Sequence, residues 1–152
     1  HFLLGGSGSE LEKMRSLVIE EKLEGQVHFP GQVIEPRLPL AVMDLYISMN
    51  VGAVTGLAGM EAALSEVPVL AIQWIPEYRA ATSDWIWSCA DSSEVAKRSC
   101  ELLKSSLDRQ ALAKQQNIHV KLHHTTEAMA SSYYALYQAT KTKLQEPGIS
   151  EN

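Results

Sequence analysis

Residues 51–71 read VGAVTGLAGMEAALSEVPVLA, and this stretch decides the predicted fold. A glycine-bearing loop leads into a short helix that carries Glu61, and a buried strand follows from Pro68. Glycines let the backbone approach a phosphate closely, and the free N–H groups and dipole at the start of a helix favour an anion. The order is therefore typical of a nucleotide held at the carboxyl edge of a parallel sheet.

Two kinds of contact with a nucleotide are predicted from this stretch. Glu61, slightly deeper in the helix, would accept two hydrogen bonds from a ribose diol. An alternative is that small residues here only let the helix pack tightly on the sheet, and that the glutamate only suits the helix dipole. The residues that would present backbone N–H groups to the phosphate are Gly56, Leu57, Ala58 and Gly59.

The rest of the chain alternates short β-type runs with helical patterns, which predicts βαβ units and an α/β fold with a Rossmann-like parallel sheet flanked by helices. The predicted strands are His1–Gly5, Gln26–Pro30, Asp44–Met49, Pro68–Gln73 and Trp85–Ala90. The predicted helices cover 11–23, Pro36–Met43 (a short helix or turn), Leu57–Glu66, Asp91–Ser105, Asp108–Leu122 and Thr126–Leu144, and 145–152 is predicted to be a frayed tail. One domain is expected over residues 1–144.

Two capping boxes are predicted, in which a side chain at the start of a helix and a glutamate three residues later bind each other's backbone N–H groups. Ser7 and Glu10 would form the first box, and Asp91 and Glu94 the second. On the last helix, one face is predicted to be apolar or small. Its members are Ala128, Met129, Ser132, Ala135, Leu136 and Ala139.

Composition narrows the class of protein. The chain has 152 residues with 45% hydrophobic and 20% charged content, which is ordinary for a globular domain. The net charge of −5 argues against a general nucleic-acid surface. No apolar run approaches the roughly 20 residues that cross a bilayer. The two cysteines, Cys89 and Cys100, have no metal-type spacing and are expected to be free cytosolic thiols.

Five segments, in this order, carry a family resemblance: FLLGGSGSE (2–10), VHFPG (27–31), DLYIS (44–48), residues 56–71, and Ala90-Asp91. From Phe2 to about Tyr137 the chain resembles the C-terminal, donor-binding half of a GT-B glycosyltransferase of family 4. The segment from Gly56 to Ala71 is similar to that family's signature G-x-x-x-x-E-A-x-x-x-x-x-P-V-x-A.

The resemblance implies transfer of a hexose from a nucleotide-diphosphate sugar to a glycan or lipid-linked acceptor, in cell-surface polysaccharide synthesis. It implies no cofactor and no metal held by the fold, and a place in the cytoplasm or at the inner face of the membrane. The acceptor would sit mainly on an N-terminal half. The base, the sugar and the anomeric outcome stay open. Implied contacts are Gly5, Gly6 and Ser7 beside the donor cleft, and Gly31 and Val33 at the base.

Two departures from the family pattern matter. The family often carries two glutamates separated by seven residues; Glu61 matches the second, and Ala53 stands at the position of the first. The family's domain also starts with one more strand, mid-sheet, and with a loop whose Arg and Lys reach the diphosphate. His1 already begins within a predicted strand, so the chain is expected to be a fragment that is inactive alone and that could dimerise. Alternatives are a non-catalytic nucleotide-binding or assembly module, and a nucleotide-sugar epimerase.

Histidines and tryptophans offer further hypotheses. His119 and His123 are four residues apart on a predicted helix, next to His124, which suits a metal site, but a solvated helix face is the favoured interpretation. The tryptophans could stack on a sugar or a base, or they could cover the edge of the core, and the second role is favoured. These are Trp74, Trp85 and Trp87. No catalytic residue is identified.

Overall fold

The computed structural model describes residues 1–49, 56–73, 75 and 85–145, and for 142–145 only the backbone. It divides into two compact units, His1–Pro39 and Leu40–Asn152. All strand pairs that it describes are parallel, and helices follow the strands in sequence, so the predicted α/β fold is confirmed. Among the described helices, none combines the length and the apolar character that crossing a membrane requires.

The first unit is a βαβ arrangement without a deeply buried side chain. Strand β1 (Phe2–Gly5) pairs in parallel with β2 (Val27–Gly31), and helix α1 (Leu11–Glu20) connects them. A short helix, α2 (Arg37–Leu40), follows β2. Every residue from 1 to 39 is exposed or half-buried. The strands therefore form the sheet that the sequence predicts, but they contain no core of their own.

Helix α1 ends earlier than the sequence indicates. At its C-terminus, Lys22 adopts a left-handed backbone conformation with φ 57°, and its N–H donates to the carbonyl of Ile19. The next N–H, of Leu23, donates to the carbonyl of Val18 at 2.8 Å. This pair of bonds is a Schellman motif, which satisfies the last carbonyls of a helix. The helix thus ends before Gly25, the residue expected to stop it.

At the other end of α1 the first predicted capping box is wrong. Glu10, not Ser7, is the N-cap residue, and it makes no side-chain cap. The Glu10 carboxylate pairs with Lys13 Nζ at 3.3 Å instead, and the N–H of Leu11 donates to the carbonyl of Gly8. Residues 7–10 therefore form a turn before the helix begins.

The second unit is built on a three-stranded parallel sheet of order β3-β4-β5 in the described residues. Leu70 is opposite Ile47 on one side and Trp87 on the other. The strands are one or two residues shorter at each end than predicted, since only their central residues pair. The elements are β3 (Tyr46–Ser48), α3 (Gly56–Leu64), β4 (Val69–Ile72), β5 (Trp87–Cys89), α4 (Ser92–Lys104), α5 (Ser106–His123) and α6 (Thr126–Gln145).

The core of the second unit lies on both faces of β4, all four of whose residues are buried. Such a strand reads as a continuous apolar run, because helices cover both faces of a parallel sheet. On one face, Ala62 and Ala63 of α3 and Val120 of α5 pack with Val69 and Trp85. The other cluster is formed by Ile72, Cys89 and Val95. Strand β4 thus fixes the position of the helices around it.

The second predicted capping box is confirmed. The Asp91 carboxylate accepts a hydrogen bond from the N–H of Glu94 at 2.8 Å, and the Glu94 carboxylate accepts from the N–H of Ala90 at 2.8 Å. At the C-terminus of α4, the Arg109 guanidinium donates hydrogen bonds to the carbonyls of Leu102 and Leu103. Both ends of α4 are therefore satisfied by side chains.

Replacing Asp91 with alanine should lower the free energy of unfolding by about 1 kcal/mol, because the N–H of Glu94 loses its partner. Urea unfolding of the variant and the wild type measures this difference. Ser93→Ala is the control, since Ser93 is an exposed residue in the same helical turn and its loss should leave stability unchanged. Asp91→Asn should retain most of the stability. Equal stability of the alanine variant and the control would contradict a role for the cap.

Candidate functional site

The predicted donor-cleft residues of the first unit come together where β1 and β2 end. Gly5 is opposite Gly31 in the register, and the N–H of Gly6 donates to the carbonyl of Gly31 at 2.7 Å. A Cβ on Gly5 would lie 2.9 Å from Cγ2 of Val33, so a larger residue would displace that side chain. Gly6 and Gly31 have φ of 135° and 78°, a region that favours glycine. Ser7 follows the corner and is exposed.

At the carboxyl edge of the β1–β2 sheet, Gly5 and Gly6 are exposed and Gly31 is half-buried. Ligands of open α/β sheets bind outside the carboxyl ends of the strands. The structure therefore brings four of the five predicted residues of this unit into one place, with Ser7 next in sequence. Their contact with a donor nucleotide stays a prediction.

Helix α3 presents the predicted phosphate-binding residues at its first turn. Gly56 begins the helix with φ 71°, Leu57 and Ala58 are exposed, and Gly59 is buried. The first N–H groups of a nine-residue helix have no acceptor within the helix and carry its positive dipole end. Val51 to Thr55, and with them Ala53, lie outside the described residues. The described part of the stretch can thus present N–H groups to an anion.

Glu61 lies on the exposed side of α3, five positions after Gly56 and so about 7.5 Å along the helix axis. Its neighbours Ala62 and Ala63 face the core and are fully buried. Burial, together with the negative charge of Glu61, raises the pKa of the Tyr46 phenol on β3. The carboxylate is therefore close enough to act on this phenol electrostatically and remains accessible to a ligand.

Two buried polar residues at the carboxyl edge of the β3–β5 sheet were not singled out from the sequence. Ser48 ends β3, and Gln73 follows β4; both side chains are buried. The N–H of Gln73 donates to the carbonyl of Cys89 at 2.9 Å, and its Oε1 accepts from the N–H of Ile75 at 3.3 Å. The signal in the sequence that could have identified Gln73 is a polar residue directly after an apolar strand. Gln73 holds the start of the segment that leaves the carboxyl end of β4.

Two further buried amides hold the helix that carries Glu61 and the strand that follows it. Gln116 of α5 accepts a hydrogen bond from the N–H of Val69 and donates to its carbonyl, both at 2.8 Å. Asn117 donates to the carbonyls of Ala63 and Leu64 at the end of α3, both at 3.0 Å. The signal in the sequence is a pair of amides between Ala113 and Val120, at core positions of an amphipathic helix.

The histidine cluster is only partly solvated. His119 is half-buried, with its ring stacked on Trp85 at a centroid distance of 5.7 Å. His123 lies 4.5 Å and His124 5.7 Å from His119 between ring centroids, and both are exposed. In the part of the chain that is described, no group of three or more histidine, cysteine or acidic residues could hold a metal ion. The solvated interpretation is correct for His123 and His124 and wrong for His119, which covers Trp85.

The tryptophans and cysteines have structural environments. Trp85 is buried in the core, as expected, and Trp87 has the Arg98 guanidinium 4.8 Å from its ring centroid. Trp74 lies outside the described residues. Cys89 and Cys100 are both free, the first buried and the second exposed. Burial, with the carboxylate of Glu94 adding to it, raises the pKa of the Cys89 thiol, which suits an unreactive core residue.

Comparison with known proteins shows which fold the chain has. No family model matches the chain, and no curated protein matches it. Among solved structures, it is similar to a point mutant of S. aureus TarM in complex with fondaparinux, alpha-GlcNAc-glycerol and UDP, with a TM-score of 0.73 and 19% identity. A second structure of TarM gives 0.69 and 18%. In both, 90% of this chain is covered but only 28% of the TarM chain. The chain therefore has the fold of a GT-B glycosyltransferase and spans little more than a quarter of the length of these neighbours.

Proposed function

We propose that this chain is the nucleotide-sugar-binding half of a glycosyltransferase of family 4, which moves a hexose to a glycan or lipid-linked acceptor in the synthesis of cell-surface glycans. The observation that carries the proposal is the likeness to TarM, whose structure was solved with UDP and alpha-GlcNAc-glycerol. It is supported by the place of Glu61, exposed one turn beyond the free N–H groups at the start of α3. The reaction would take place in the cytoplasm, at or near the inner face of a membrane.

In this proposal the residues of α3 divide the donor between them. The N–H groups at Gly56, Leu57 and Ala58 hold the diphosphate, and their fixed dipoles stabilise the negative charge that develops as the nucleotide departs. Glu61 accepts hydrogen bonds from the ribose hydroxyls, which orients the nucleoside. Gly59 lets the helix approach the sheet. The family resemblance further assigns Gly5, Gly6 and Ser7 to the side of a donor cleft, and Gly31 and Val33 to contacts with the base through backbone groups.

The rest of a longer protein would supply what this chain does not. The cations that neutralise the departing diphosphate are assigned to the loop with which the family's donor-binding domain starts, and the surface that holds the acceptor is assigned to an additional N-terminal half. No cofactor and no resident metal are required, because the nucleotide sugar is itself the substrate that carries the leaving group. Positioning and electrostatic stabilisation, rather than a covalent step on this chain, carry the chemistry.

A second candidate function is a non-catalytic nucleotide-binding or assembly module with the same fold. Ala53 favours it, because the resembled family often has a glutamate there that acts on the transferred sugar. The two functions differ in one measurable property. A transferase releases nucleoside diphosphate from the donor when acceptor is present, whereas a binding module retains the donor unchanged. An epimerase would convert the donor sugar with no acceptor at all.

The 152-residue chain alone should bind nucleoside diphosphate and show no multiple-turnover transfer, because the residues proposed to bind the donor lie in it, whereas the Arg and Lys that reach the diphosphate in the resembled family have no match in its sequence. Calorimetric titration with UDP, GDP and ADP measures binding, and release of diphosphate from the corresponding sugar donors, with and without a glycan acceptor, measures turnover. Absence of binding to any of these nucleotides would contradict the donor role. Sustained transfer by the chain alone would contradict the assignment of essential groups to another part of the protein.

A further inference from the structure

Helix α3, which carries Glu61, has few side chains that could fix its position. Of its nine residues only Glu61 is polar, and the others are glycine, alanine, leucine or methionine. Its buried residues, Gly59, Ala62 and Ala63, are all small. A narrow apolar stripe normally determines which side of a helix faces the core, and large side chains interlock with the neighbouring element. Apolar packing therefore determines the rotation and the axial position of α3 only weakly.

The proposed role of Glu61 requires that this helix be held accurately. Side chains reach about 5–6 Å from the axis of a helix, so a rotation of about 10° moves a carboxylate by about 1 Å. Hydrogen bonds between oxygen atoms have a narrow range of length, about 2.5–3.0 Å. A carboxylate that binds two ribose hydroxyls therefore depends on directional contacts that fix the helix on which it lies.

Asn117 of α5 makes such contacts at the C-terminus of α3. Its side-chain nitrogen donates to the carbonyls of Ala63 and Leu64, both at 3.0 Å, and the residue is only 4% exposed. The two carbonyls belong to the second and third residues after Glu61, about 3–4.5 Å further along the helix axis. The amide thus holds the helix close to the level of the carboxylate.

The end of α3 is also closed by its own backbone. Glu66 adopts a left-handed conformation with φ 58°, and the N–H of Val67 donates to the carbonyl of Ala62 at 2.9 Å. These are the features of a Schellman motif, which terminates a helix without help from another element. The particular contribution of Asn117 is therefore to connect this finished end of α3 to α5.

Helix α5 is itself fixed to the sheet on the side that carries Asn117. Ala113 and Val120 of this side are buried. The neighbouring amide, that of Gln116, binds both the N–H and the carbonyl of Val69 at the start of β4. Two adjacent buried amides thus divide the work, since one holds β4 and the other holds α3.

We propose that Asn117 is a positioning residue for the donor site, which acts on Glu61 through α3. It sets the rotation and the axial position of the helix, and with them the place of the Glu61 carboxylate and of the N–H groups at the first turn. It acts at a distance, because it binds the end of α3 opposite to the one that would hold the diphosphate. The inference rests on the proposed function, since it concerns the same nucleotide site.

The nucleotide affinities of two matched variants of the full-length protein test this role. Asn117→Leu removes the contacts with α3, and Gln116→Leu removes those with β4, so each replaces one buried amide on the same helix with an apolar side chain. Calorimetric titration with UDP, GDP and ADP should give at least a tenfold lower affinity for Asn117→Leu, because a shift of about 1 Å is enough to disrupt a binding geometry. Gln116→Leu should stay within about threefold of the wild type, although both variants lose stability.

Circular dichroism establishes the temperature below which each variant is folded, and the titrations are made there. Where a leucine variant does not fold, the milder pair Asn117→Ser and Gln116→Ser takes its place, with the same expected order of affinities. The serine side chain keeps a hydroxyl donor, which reduces the loss of stability.

A double-mutant cycle with Glu61→Gln tests whether the effect of Asn117 passes through Glu61. In the Glu61→Gln background, Asn117→Leu should lower the affinity by a smaller factor than it does in the wild type, because the carboxylate that it displaces is already gone. Losses that simply multiply would show that the two residues act independently and would contradict the proposed path.

Hydrogen exchange gives a readout that needs no ligand. Asn117→Leu should accelerate exchange of the backbone N–H groups of α3 at least tenfold more than that of β4, since local opening follows the loss of local contacts. Gln116→Leu should show the opposite order. Equal acceleration in both elements would mean that Asn117 stabilises the unit as a whole rather than the position of α3.

The outcomes separate this inference from the proposed function. Wild-type affinity in Asn117→Leu, or an equal loss of affinity in Gln116→Leu, would overturn the positioning role and leave the donor site in place. A wild-type protein that binds none of UDP, GDP and ADP would overturn the proposed function, and the positioning role together with it.

Discussion

Replacing Gln116 with leucine should lower the free energy of unfolding by about 2–6 kcal/mol. The two side chains have similar size, so the change is mainly one of hydrogen bonding. In the wild type, one amide satisfies both the N–H and the carbonyl of Val69 at the start of β4. Leucine would leave both groups buried without these partners, and each orphaned group costs about 1–3 kcal/mol.

Chemical unfolding, followed by circular dichroism, measures the loss. Gln115→Leu is the matched control, because Gln115 is the exposed neighbour on the same helix and its replacement should change stability little. The slope of the unfolding transition should be the same for both variants, since the surface exposed on unfolding is unchanged. A Gln116 variant as stable as the Gln115 variant would contradict this role of the amide.

The contrast between the two amides and the capping boxes shows which parts of the fold the sequence could predict. The box of Asp91 and Glu94 depends on residues three positions apart, so its pattern is complete in the sequence. The pattern of Ser7 and Glu10 is equally local, yet it fails because the helix begins at Leu11, so that Glu10 rather than Ser7 stands at the N-cap. A local pattern therefore predicts a helix well and its exact first residue less well.

The partners of Gln116 could not be predicted in the same way, because Val69 is 47 residues away in sequence. Only the packing of α5 against the sheet brings the amide to the strand. The sequence shows two amides at core positions of an amphipathic helix, which predicts buried polar groups with partners but not the identity of those partners. His119 is similar, since its spacing suggests a solvated face and its contact with Trp85 depends on the fold.

In the candidate site, too, some features follow from a local sequence pattern and others depend on how the chain folds. The order of glycine, helix and strand around Glu61 is local, and the described part of the structure has the helix and strand in that order. The corner of Gly5 and Gly31 depends on the register between two strands, so it was assigned through the family resemblance rather than from spacing. Ser48 and Gln73 were missed because they lie at the ends of predicted strands, where the sequence alone does not show whether a polar side chain is buried.

Replacing Glu61 with glutamine should lower the affinity for nucleoside diphosphate by tenfold or more. The substitution keeps the shape and one acceptor oxygen and removes the negative charge. A hydrogen bond to a charged group contributes roughly 1.5–3 kcal/mol, and about 1.4 kcal/mol corresponds to a factor of ten in affinity. Two such bonds to a ribose diol would both weaken. Stability without ligand should change little, since Glu61 is exposed and its neighbours Ala62 and Ala63 make the core contacts.

Calorimetric titration of UDP and GDP into the full-length protein and its variants separates a ligand contact from a structural role of Glu61. The control is Glu66→Gln, the same chemical change at an exposed residue just beyond the other end of α3. It should bind as the wild type does, because it lies far from the start of the helix where the anion is expected. Equal affinities of the wild type and Glu61→Gln would remove Glu61 from the donor site. If the variant instead melts at a much lower temperature without ligand, Glu61 acts on the fold through Tyr46 and α3, and the ribose must be held by other groups.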